Sequence, residues 1–171
     1  MPSSSSQQVW EMMRLQLVPY LGDEVQVVIP NSWSDRYEQW FKDIEMQSFR
    51  ETLRYTTEEL QTRMSKKQVL LLFILVGENP EGMILGYPSD EKQGNSFYLD
   101  TFAVKTRGRG IGRIMLSSII KWATQSAFSA IVLDTEAENE IGIPLQHFYE
   151  NMGFVVECIE DDGNITMRLT L

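Results

Sequence analysis

The stretch Phe97-Tyr-Leu-Asp-Thr-Phe-Ala-Val-Lys-Thr-Arg-Gly-Arg-Gly-Ile-Gly112 decides how this chain is read. Residues 97–104 are rich in aromatic and β-branched side chains and read as a strand. Three glycines follow within five residues, and an apolar helical pattern opens at Gly110 or Ile111 and runs to about Ser126. Glycines at a strand-to-helix junction let backbone N–H groups converge on an anion, and the helix N-terminus adds partial positive charge. Lys105, Arg107, Arg109 and Arg113 fall in this stretch, with no acidic residue between Lys105 and Lys121. Residues 131–171, by contrast, carry Arg168 as their one Lys or Arg among many carboxylates. A basic island in an acidic chain points to a specific polyphosphate ligand. The nucleoside-triphosphate loop needs Gly-Lys-Ser/Thr, which Gly112-Arg113-Ile114 does not supply. The dinucleotide fingerprint needs G-x-G-x-x-G, and Gly108-x-Gly110-x-Gly112 is spaced differently.

The whole-chain numbers narrow the class. The chain has 171 residues, 43% of them hydrophobic, and a formal net charge of −9. One globular domain with a real core fits that length. The acidic balance argues against binding nucleic acid or a membrane surface through overall charge. The longest apolar run, residues 69–76, is too short to cross a bilayer. Residues 1–8 carry neither the basic nor the apolar segment of a secretory leader. A single cysteine, Cys158, excludes an intramolecular disulfide and any multi-cysteine metal site, so no metal is expected. The expectation is a soluble cytoplasmic protein of a reducing compartment.

Outward from the deciding stretch, the order of elements is β-α-α-β-β-β-α-β-α-β-β after an N-terminal extension. Residues 1–8 are expected to fray, residues 9–21 to form a weak helix, and residues 25–30 a first strand. Residues 35–49 show helical apolar spacing, with Trp33, Tyr37, Trp40 and Phe41 as a packed face. Thr56-Thr-Glu-Glu59 has the capping-box form. Residues 69–76 read as a strand covered on both faces. Residues 77–82 have turn composition, and 83–87 return as its partner. Residues 130–135 are a further strand, 144–152 a short helix closed by Gly153, and 154–159 and 165–171 the final pair of strands. Residues 1–24 form a tail and extension; residues 25–171 form the domain. Cys158 alternates with apolar residues and is expected in the core; His147 is expected at the surface.

Arg107-Gly-Arg-Gly110-Ile-Gly112 matches R-x-x-G-x-G and resembles the acetyl-CoA signature of the GNAT superfamily of N-acetyltransferases. His147-Phe-Tyr-Glu-Asn-Met-Gly-Phe154 resembles that family's F-Y-x-x-x-G-F segment about forty residues downstream. The resemblance implies an α/β GNAT-like single domain: a mixed, mostly antiparallel sheet with a splayed central strand pair and flanking helices. It implies acetyl-CoA as cosubstrate. The backbone of Phe102, Ala103 and Val104 is expected to pair with the pantetheine arm like an added strand. The amides of Arg107, Gly108, Arg109, Gly110, Ile111 and Gly112 are expected to hold the diphosphate, with Arg107, Arg109 and Arg113 as charge partners. Tyr149 takes the place of the tyrosine that protonates the leaving thiolate; core packing is the other reading of that residue. The chain departs from the family in two places. Only Lys105-Thr106 separate Val104 from Arg107, which points to a strand ending nearer Phe102. Gly142 stands where the family often has Asn, leaving Asn139 as a substitute if its loop folds back.

Attack of an amine on a thioester needs a proton acceptor, and Asp100 on the central strand is the first candidate, with Glu136 and Glu138 next. The other reading of Asp100 is an outward-facing strand residue. In the family the loop between the first two helices shapes the acceptor site, here about residues 50–55. Residues 35–67 hold seven acidic and seven basic side chains and set no sign there. The acidic C-terminal third favours a cationic acceptor, whether a protein amine, a polyamine or another small amine. Exposed strand ends allow a homodimer. The expected activity is direct acetyl transfer to a primary amine. A catalytically weak CoA-binding regulatory module and a nucleotide-phosphate binder are the alternatives.

Overall fold

The computed structural model describes residues 4–91, 94–138, 142 and 144–171. Its elements are α1 (Ser4–Leu21), β1 (Val25–Val28), α2 (Asp35–Ser48), a 3-10 turn (Glu51–Leu53) and α3 (Thr57–Met64). They continue as β2 (Leu70–Val76), β3 (Asn79–Pro88), β4 (Ser96–Val104), α4 (Ile111–Gln125) and β5 (Ala130–Thr135). α5 (Leu145–Asn151), β6 (Val155–Ile159) and β7 (Ile165–Thr170) close the domain. The strands form one seven-stranded sheet in the order β1-β2-β3-β4-β5-β7-β6. Every neighbouring pair is antiparallel except β4 and β5, which run parallel.

Both faces of the sheet are covered, so β2 is apolar throughout rather than alternating. Leu70, Leu72 and Ile74 join one buried cluster with α1 and α4; Leu71, Phe73 and Leu75 join a second with α2 and α3. α1 begins at Ser4, inside the stretch expected to fray. It buries Val9, Trp10, Met13 and Leu17 on one stripe, and its Trp10 ring lies 6.1 Å from Trp122 of α4. Each such side chain stabilises the fold by about 1.5–3 kcal/mol, which explains an ordered helix where local sequence suggested a weak one. α3 starts at the expected capping box: Glu59 N donates to Thr56 Oγ1 and Thr56 N donates to Glu59 Oε1.

Three expectations need correction. β3 starts at Asn79, so the turn shrinks to Gly77-Glu78, and a register shift opposite Ile74 and Leu75 absorbs Glu81 as an extra residue. β4 runs on to Val104, which pairs with Gly82, rather than ending near Phe102. Cys158 is exposed. β6 is the sheet edge and its register shifts between Val156 and Cys158, so the side chains there do not follow the simple alternation that suggested burial.

Candidate active site

Two geometric features converge at the end of β4. The first is a fork. Parallel pairing of β4 with β5 holds only for Ser96↔Ala130, Phe97↔Ile131 and Tyr98↔Val132, although β4 continues six residues further and β5 three. The β5-facing edge of β4 beyond Tyr98, which includes Phe102, Ala103 and Val104, therefore has backbone groups available to an inserted extended ligand.

The second is the glycine turn. Gly108 and Gly110 sit at φ +79° and +83°, in the left-handed region that favours glycine, and a Cβ on either meets no atom within 4 Å. Gly110 is the N-cap of the fifteen-residue α4 and supplies no side-chain cap to its first-turn amides. A Cβ on Gly112 would sit 3.7 Å from Phe148 and 3.8 Å from Phe102, whose rings stack at 6.4 Å. Arg107, Gly108, Arg109 and Gly110 are exposed and Ile111 is buried under them. Arg107 Nη2 donates to Ser48 O at 3.3 Å; Arg109 and Arg113 have no ion-pair partner among the described residues. The entry to this turn is fixed by Glu81: Thr106 N donates to Glu81 Oε1 at 2.9 Å, Thr106 Oγ1 donates to the same oxygen, and Lys105 N donates to Glu81 O. Lys105 Nζ bonds Asp43 at 2.7 Å. Nothing in the local sequence marked Glu81, because its part depends on a strand register.

Tyr149 on α5 is buried, with its ring edge-on to Phe148 and Phe154 at 5.2 and 5.7 Å. Its phenol makes no hydrogen bond to the described residues, and burial pushes its ionisation upward, keeping the proton on oxygen. His147 is exposed. Asn139 lies outside the described residues.

Asp100 is not a plain alternating strand residue. Leu85 pairs with Thr101 and the next residue, Gly86, pairs with Leu99, so Asp100 is the extra residue of a β-bulge. Its carboxylate accepts four hydrogen bonds: Tyr55 Oη at 2.5 Å and Thr101 Oγ1 at 2.9 Å on Oδ1, Tyr87 Oη at 2.5 Å and Arg63 Nε at 2.9 Å on Oδ2. Burial, then the Asp100 charge, push the Tyr55 phenol up; burial and the Asp100 hydrogen bond do the same for Tyr87. Tyr55 lies in the 50–55 segment expected to shape the acceptor site, whereas Arg63 and Tyr87 carried no sequence signal, since separate elements bring them to Asp100. Beside them Tyr98 Oη donates to Asp134 Oδ2 at 2.6 Å, across the mouth of the fork. Arg50 and Glu136 form a two-pronged ion pair from the α2–α3 segment to the residue after β5.

The site is thus a parallel strand pair that forks beside a glycine turn opening a helix. A profile described as the acetyltransferase (GNAT) family matches residues 32–154, and the chain belongs to that family. Among solved structures, the NatC complex bound to Gag peptide and CoA is similar at TM-score 0.70 and 18% identity, over 86% of this chain and 99% of that one. Arabidopsis thaliana Naa50 in complex with the bisubstrate analogue CoA-Ac-MVNAL is similar at 0.64 and 18%, over 86% and 99%. A GNAT family acetyltransferase from Elizabethkingia anophelis with acetyl-CoA bound is similar at 0.62 and 15%, over 87% and 99%. No curated protein sequence matches the chain. No described helix is long and apolar enough to cross a membrane.

Proposed function

We propose that the chain moves an acetyl group from acetyl-CoA directly to a primary amine, with a polypeptide amine as the first acceptor to test. The observation that carries this reading is the fork: β4 loses its parallel partner at Tyr98 and then leads straight into the Gly108–Gly110 cradle. In the proposed arrangement the backbone of Phe102, Ala103 and Val104 pairs with the pantetheine arm. The amides of residues 107–112 receive the diphosphate, and Arg107, Arg109 and Arg113 neutralise its charge. The amine nitrogen attacks the thioester carbonyl carbon, the new C–N bond replaces the C–S bond, and Tyr149 gives its proton to the departing sulfur. The proton released by the acylated nitrogen passes through water and restores the Tyr149 phenol, whose burial favours the protonated form. Backbone N–H groups at the fork polarise the carbonyl. Direct transfer is favoured because the one cysteine, Cys158, sits on β6, separated from β5 by β7. Nearby Glu160, chiefly, pushes that thiol's ionisation up, away from a nucleophilic thiolate.

A polypeptide amine comes first because NatC and Naa50 are the similar structures described with a Gag peptide and with a peptide-bearing analogue. The acidic C-terminal third fits a cationic acceptor in general. Calorimetric titration with acetyl-CoA, against CoA and ATP, followed by a screen of peptide, polyamine and amino-sugar acceptors, tests the reading. Micromolar acetyl-CoA binding with acetylation of at least one amine supports it. Tight CoA binding with no transfer assigns a regulatory CoA-binding module instead, and ATP binding as tight as acetyl-CoA assigns a nucleotide site.

A further inference from the structure

We propose that Asp100 is a positioning residue: its carboxylate clamps the segment of residues 50–55 and helix α3 onto the β4 bulge, and it is not the proton acceptor of the reaction. This rests on the acetyltransferase reading above for the meaning of the site, but the clamp itself is geometric.

The bulge sets the clamp up. Phe97 and Leu99 belong to the cluster under α1 and α4, and Phe102 and Val104 pack against that same cluster, while Ala103 belongs to the cluster under α2 and α3. The extra residue thus reverses the alternation of β4 and puts Asp100 and Thr101 on the α2–α3 face together. There the Asp100 side chain is only 2% exposed. Each carboxylate oxygen has two lone pairs, and each already accepts two hydrogen bonds. Taking a proton from a substrate ammonium requires breaking one of these hydrogen bonds.

The donors show what is being held. Tyr87 and Thr101 belong to the sheet, whereas Tyr55 and Arg63 belong to the segment above it. Arg63 also lies over the Tyr55 ring at 3.9 Å, Tyr55 N donates to the buried Glu45 carboxylate of α2 at 2.8 Å, and Tyr55 stacks on Phe41. Lys66 Nζ is 4.8 Å from the centre of the Tyr87 ring. At the far end of the same short segment, Arg50 reaches Glu136 beyond β5. Residues 50–55 therefore cross the mouth of the fork as a strap, tied to the bulge at Tyr55 and to the β5 exit at Arg50. The strap borders the space an acceptor must enter, so its fixed position sets how an amine approaches the thioester.

The test compares wild type, Asp100→Asn and Tyr55→Phe by amide hydrogen exchange over residues 50–56 and by calorimetry with acetyl-CoA. Steady-state kinetics use the pentapeptide Met-Val-Asn-Ala-Leu with a free amino terminus, and spermidine, as acceptor probes. For Asp100→Asn the clamp predicts exchange about tenfold or more faster in the strap and unchanged acetyl-CoA affinity. It also predicts a raised acceptor KM with kcat within about threefold, and a pH–kcat profile of unaltered midpoint. Tyr55→Phe, which leaves three donors in place, gives the same pattern in smaller measure and serves if Asp100→Asn does not fold. Strap exchange unchanged in both variants overturns the clamp. So does a loss of about a hundredfold in kcat that abolishes the acid limb of the profile, which makes Asp100 the base. Wild type that binds no acetyl-CoA sinks the acetyltransferase reading alone, because the exchange measurement needs no substrate.

Discussion

Gly86→Ala provides a sharp test of how the sheet builds the site. Gly86 faces Leu99 across β3–β4, next to the bulge. A Cβ there lies 2.2 and 2.6 Å from Cζ and Cε1 of Phe97 and 2.7 Å from the backbone oxygen of Tyr98. The Phe97 ring is fully buried against Trp122 and Phe128, with ring centres 5.0 and 5.4 Å away, so it has no free direction in which to move. The carbonyl belongs to β4 itself. One methyl therefore has to shift a packed aromatic cluster, a strand, or both. Overpacking of this kind costs about 1–3 kcal/mol, and the backbone clash puts this site at about 3 kcal/mol. For a domain of this length that is a fall of roughly 6–12 °C in Tm. Gly163→Ala is the control: its Cβ meets nothing, and only the left-handed strain at φ +92° remains, about 1–2 kcal/mol. Thermal and urea unfolding of both variants give the comparison. If Gly86→Ala melts within about 2 °C of wild type, or above Gly163→Ala, the strand cannot be as closely seated on Gly86 as described, and the argument for a fixed bulge goes with it.

Further outcomes follow from the site. Gly110→Asp meets no atom near its Cβ and takes only the left-handed strain at φ +83°, about 1–2 kcal/mol, but it weakens acetyl-CoA binding about a hundredfold or more by setting a carboxylate against phosphate, and Gly110→Ala, which carries the strain without the charge, is the control. Unchanged affinity in calorimetry moves the cofactor site elsewhere. Tyr149→Phe lowers kcat about a hundredfold with acetyl-CoA affinity intact; undiminished turnover leaves Tyr149 with packing alone. Asp134 resists burial through hydrogen bonds from Tyr98, Asn164 and Thr166, which hold its carboxyl below the usual range. Its charge therefore contributes stability fully above an unfolded value of about 3.9, and that contribution is lost as pH falls through the lower folded value. Asp134→Asn accordingly flattens the acid limb of a urea-midpoint curve below about pH 4, and an unaltered limb refutes the assignment.

Much of this protein was legible in its residues. The order of elements, the capping box at Thr56, the glycine turn at 108–112 and the Gly153 helix stop each rest on short-range rules: periodicity, caps and left-handed glycine. The family resemblance rested on the same local motifs, and the 32–154 match agrees with it. What the residues left hidden depended on partners distant in the chain. Residues 9–21 looked weak as a helix, and residues 4–8 looked frayed, because the strength of α1 is the apolar stripe it lays on α4. Cys158 looked like core because alternation does not say which strand ends up at the edge of the sheet. Asp100 was singled out for its place on the central strand, but its surroundings depend on a register slip opposite Gly86 and on donors thirteen to forty-five positions away. Sequence by itself determined the groups on offer: a glycine-rich turn with three arginines, a helix tyrosine and an acidic C-terminal third. Tertiary structure decided which carboxylate is tied up and which strand edge is open, because hydrogen-bond pairing between strands is set by the packing of the whole sheet.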